Sequence, residues 1–162
     1  MKMININDEF EKFIAKTRER EEMSTELENF RTMFEQKRDD FLFKAYGPNT
    51  DIKQSETYQG CSEAYALTIY WISDTLAKIA CDTEESFINY VRQLLIKLQT
   101  IRSDMERMWH DKNKFQMINS EHETVSMLKY MCGHDSADFI NALLATLDIN
   151  INWIRLQFNL TK

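Results

Sequence analysis

The chain has 162 residues and 19.3 kDa, one domain's length, with apolar residues at 43% and aromatics at 12%, enough for a buried core. Three glycines and one proline are too few for the turns of a sheet protein, and Gly47, Gly60 and Gly133 lie too far apart to build a phosphate-cradling loop. A net charge of −6 without any strongly basic stretch removes the electrostatic footprint of a nucleic-acid binder.

In chain order, the first element is a helical arm over 8–45, capped by Asn7 or Asp8 and stopped at Gly47-Pro48. Its apolar positions form two stripes. Phe10, Phe13, Ile14 and Thr17 make the first; Leu27, Phe30, Phe34 and Phe41 make the second. Measured from Phe13 to Phe30, the two are about 100° out of phase on an ideal helix. A charged run over 18–22 separates them, and Thr25-Glu26-Leu27-Glu28 fits a capping box that would open a new helix. Two readings stay open: a break near Met23, or one helix about 57 Å long that touches two different neighbours.

Residues 46–60 hold the proline and two of the three glycines and read as a long loop. Over 62–81 the chain is apolar nearly all round, through Ala64, Tyr65, Leu67, Ile69, Tyr70, Trp71, Ile72, Leu76 and Ile79, which marks a central helix. Asp82-Thr83-Glu84-Glu85 fits a second capping box. One continuous helix is predicted over 83–109, with Phe87, Ile88, Val91, Leu94, Leu95, Leu98, Ile101, Met105 and Met108 at helical spacing. Residues 111–119 read as a connection. A shorter helix opens at Ser120-Glu121-His122-Glu123 and ends at Gly133; Asp135 caps a last one with Ile140, Leu143, Leu144, Leu147, Ile151, Ile154 and Phe158 inward. The expected fold is all-α: a single domain over 1–162, an irregular bundle of five to six helices with a long N-terminal helix or helix pair. Its parts are an arm (8–45), a loop (46–60) and a helical core (61–162).

The histidines fall at His110, His122 and His134, and Glu106 precedes His110 by one turn. A metal site or a small helical enzyme built on these is the alternative reading. Against it, steps of twelve residues spread over three helix faces, and the paired Glu-x-x-His of helical di-iron proteins is absent. Glu19-x-x-Glu22 has no second carboxylate pair at the offset that a Mg²⁺ site needs. Arg92, Lys97, Arg102, Arg107 and Lys112 recur every five residues and so wind around a helix without making a stripe. No cofactor, metal or catalytic group is therefore expected.

Cys61, Cys81 and Cys132 form no CxxC pair, and no apolar leader opens the sequence, which fits reduced thiols in the cytoplasm. No apolar run reaches the length of a membrane span, so no membrane partner is expected. What stands in surplus is apolar helix face. Met105, Met108 and Trp109 open a methionine-rich stretch of the kind over-used at protein-binding surfaces. The expected function is protein–protein interaction, as a small regulatory, adaptor or inhibitor protein. The partner-binding residues are Phe10, Phe13, Ile14, Leu27, Phe30, Phe34, Met105, Met108 and Trp109, and the chain is expected to dimerise with itself through 8–45.

Overall fold

The computed structural model describes residues 6–82, 86–110 and 137–160. Among them stand four helices and no strand: α1 (Ile6–Ala45), α2 (Ile52–Cys81), α3 (Phe87–His110) and α4 (Ala137–Gln157). The all-α class is as read from the sequence. The short helix expected between Ser120 and Gly133 lies outside the described residues, as do His122, His134 and Cys132.

α1 is one helix, about 60 Å long, without a break at Met23. The run over 18–22 is arginine and glutamate, both strong helix formers, so nothing in it stops propagation. Thr25 does not cap: its hydroxyl donates back to the Glu21 carbonyl inside the helix, as Thr17 does to Phe13 and Thr32 to Glu28. Asn7 and Asp8 also lie inside the first turn, where Asp8 and Glu9 favour the helix dipole. The helix ends at Ala45, ahead of Gly47-Pro48. The Gly47 N–H and the Thr50 hydroxyl both donate to the Lys44 carbonyl.

The loop expected over 46–60 is shorter, because α2 begins at Ile52. Its signal is a capping box of the Asp-x-x-Gln kind. The Asp51 carboxylate accepts from the Gln54 N–H at 2.7 Å, and the Gln54 side chain accepts from the Asp51 N–H at 3.3 Å. Gly60 is thus a helical residue. A Cβ built there would meet the Phe139 carbonyl oxygen at 2.2 Å, so the missing side chain is what lets α4 lie against α2.

α3 starts at Phe87, about a turn later than the capping box at 82–85 suggests. Asp82 instead ends α2: its N–H donates to the Lys78 carbonyl, and its carboxylate accepts the Tyr90 hydroxyl at 2.6 Å. The predicted stripe of α3 is buried along its whole length, except for the half-buried Ile88. α4 closes with Asn159 in the left-handed region (φ 53°). There the Leu160 N–H donates to Arg155, the Asn159 N–H to Leu156, and the Leu160 side chain is buried.

Pairwise contacts give the directions. Ser62 reaches the Arg38 carbonyl, Arg31 reaches Ser73, and Arg20 reaches the Ile79 and Asp82 carbonyls, so α1 is antiparallel to α2. Tyr90 meets Asp82 and Lys97 meets Trp71, so α3 is antiparallel to α2 as well. Arg102 pairs with Asp148 while Phe87 meets Phe158, which turns α4 back again. The order of the described helices is up-down-up-down, with the parallel pair α2 and α4 in close contact through Gly60 and Thr68. α2 touches all three other helices, as its nearly all-apolar sequence implies.

Candidate functional site

Arg20 marks where α1 leaves the bundle. Its guanidinium donates to the last carbonyls of α2, so residues 6–19, about 21 Å of helix, extend past the end of the helix that α1 packs on. Phe10 and Phe13 sit on this extension at 62% and 67% exposure, and Ile14 is half-buried.

The two stripes of α1 are one seam. Phe10, Phe13, Thr17, Arg20, Ser24, Leu27, Arg31, Phe34, Arg38 and Phe41 alternate steps of three and four residues. Phe13 stands two heptads before Leu27, and two heptads drift only about 40° on a straight helix. The quarter-turn slip arose from measuring to Phe30, which flanks the seam. Leu27, Phe34 and Phe41 along the same seam pack on α2, Phe41 stacking on Tyr65 at 5.9 Å. Phe10 and Phe13 lack that cover because α2 ends first.

Of the other expected partner residues, Leu27, Phe30, Phe34, Met105 and Met108 are buried in the chain itself. In the folded chain these five side chains belong to its core rather than to an exposed face. Their spacing marked them as apolar face, and the domain uses that face. Phe30 and Phe34 join Phe158 and Phe87 in an aromatic cluster where α1, α3 and α4 meet. Trp109 is partly buried against the core.

The acid–histidine constellation is not assembled among the described residues. Glu106 is ion-paired with Arg102, which also holds Asp148 of α4, and His110 is exposed at the end of α3. No group of three metal-ligating side chains occurs among the described residues. No helix among them is long and apolar enough to cross a membrane. Cys61 is half-buried and Cys81 exposed, both as free thiols.

Three surface features lie outside the expected partner-binding residues. Phe43, Tyr46 and Ile52 are exposed at the α1–α2 turn. Ile149, Trp153 and Leu156 form an exposed strip on α4; their 4-3 spacing beside the core stripe was the available signal. Between α2 and α3 lies an open cleft of about 420 Å³, lined by Tyr70, Trp71, Asp74, Gln93 and Lys97, with the Lys97 ammonium 4.6 Å from the centre of the Trp71 ring. An apolar run marks a central helix, and the cleft comes from pairing it with α3, which the run alone does not encode.

No protein-family model matches this chain, and comparison with curated proteins and with solved structures finds no match either.

Proposed function

We propose that this chain is a protein–protein interaction module, a small regulatory, adaptor or inhibitor protein without catalytic chemistry of its own, whose contact surface is the extended start of α1. One observation carries the reading: two phenylalanines on a coiled-coil seam stand exposed where the helix has outrun its neighbour. Each buried aromatic contributes about 1.5–3 kcal/mol, so a helix that leaves two of them in water gains by covering them. Arg20 and the buried Leu27 seat the arm on a packed base, so it projects from the core with its direction fixed.

The test is a benzophenone photo-crosslinker placed at Phe13 and, as a control, at the exposed Ala15 on the opposite side of the arm. In host cells, position 13 should yield a defined protein adduct and position 15 far less. Equal labelling at both positions, or none at 13, would remove the arm as a binding surface.

A further inference from the structure

The arm carries its charges in two blocks. Asp8, Glu9 and Glu11 come first, then Lys12, Lys16 and Arg18, with Phe10, Phe13 and Thr17 as the seam among them. Glu9 and Lys12 approach each other within the helix at 3.9 Å, a loose contact between two exposed side chains. Of these charges only Glu9 and Lys16 flank the seam, each one residue before a seam position (Phe10 and Thr17). Laid parallel and in register, two such arms set Glu9 against Ile14 of the second copy. Laid antiparallel and crossing at Phe13, they bring Glu9 against Lys16 of the second copy on each side, while the phenylalanines meet at the centre. Within residues 8–18 that flanking pair forms only in the antiparallel orientation.

Resting on the reading of the arm as a binding surface, we propose that its occupant is a second copy of this chain, paired antiparallel through residues 8–18. The pairing extends beyond α2 the same seam that α1 uses inside the bundle, from Phe41 back to Leu27. A heptad seam suits helices crossing at a shallow angle, which is how two free helix ends can meet without disturbing the domains behind them. Mixed charge along the flanks sets orientation, and the apolar centre supplies the attraction.

The contact is short and belongs at the low end of the size range for specific interfaces, so sedimentation is measured over about 1–200 µM. The wild-type chain should dimerise, and raising the salt from low to about 0.5 M should weaken the dimer several-fold, because the facing charges attract. Phe10→Asp/Phe13→Asp should be monomeric with unchanged helicity by circular dichroism. An all-basic arm (Asp8→Lys/Glu9→Lys/Glu11→Lys) and an all-acidic one (Lys12→Glu/Lys16→Glu/Arg18→Glu) should each be monomeric alone and form a heterodimer when mixed. A dimer that tightens with salt would overturn the antiparallel orientation, and one that survives the Phe10/Phe13 changes would overturn the interface. A wild-type monomer throughout the range would overturn self-pairing. If Phe13 still crosslinked to a different protein in cells, the arm would stand as a binding surface with another occupant.

Discussion

Gly60 shows how much one residue decides here. With hydrogen in place of a side chain, α2 passes so close to α4 that an added methyl group would lie 2.2 Å from the Phe139 carbonyl oxygen and 3.1 Å from the Ala142 Cβ. The nearer atom is backbone, so the helices must part to make room. Gly60→Ala gains about 1 kcal/mol of helix propensity and loses about 3 kcal/mol to overpacking, a net destabilisation of about 2 kcal/mol by urea melt. A variant more stable than wild type would show that α4 is not seated on this glycine. Two turns further on, the fully buried Asn150 donates to the Thr68 hydroxyl at 3.0 Å, which donates in turn to the Ala64 carbonyl at 2.8 Å. That chain of bonds forms at a single offset of α4 along α2, so it fixes the register of an otherwise apolar contact.

Among the elements, α3 is the one whose sequence and structure agree most closely. Leu94 and Leu98 point into the centre of the core, 2% and 0% exposed, and each should cost about 2–5 kcal/mol when cut back to alanine. A shift under 1 kcal/mol in either urea melt would contradict the packing. α3 was legible because its apolar positions keep one period against polar neighbours, whereas the ends of helices were not. At Asp51 the capping acid is followed by glutamine, and a stretch rich in turn residues hid it. At Asp82 the same kind of signal sits at the end of α2, where the carboxylate accepts the Tyr90 hydroxyl. Thr25 matches a cap by composition alone; whether it caps depends on the helix stopping upstream, and the arginine–glutamate run gives it no reason to stop. The burial of most expected partner residues has a related origin. Periodicity finds an apolar face, but whether that face is covered, as Leu27 is by α2, or stands exposed, as Phe13 does, depends on the relative lengths of α1 and α2.

At the scale of the whole molecule, that length difference separates stability from association. The three other helices lean on α2, and α1 is tied to its far end by Arg20, which satisfies the Ile79 and Asp82 carbonyls at a helix terminus. Among the described residues before Arg20 none is fully buried, so the arm adds mostly surface. Phe10→Asp/Phe13→Asp should therefore leave the melting temperature of a dilute sample within about 2 °C of wild type. Arg20→Ala, which removes hydrogen bonds to the carbonyls at the end of α2, costs about 1 kcal/mol and should lower it by about 2–4 °C. Association then adds a term of its own. A dimer that forms only from folded chains raises the melting temperature as protein concentration rises, by mass action. Wild type and Arg20→Ala should both show that dependence, and Phe10→Asp/Phe13→Asp should show none. Calorimetry across a hundredfold range of concentration reads both effects at once. If the arm variant melted well below wild type at the lowest concentration, Phe10 and Phe13 would be part of the fold, and the extension of α1 would have to be packed on its own chain.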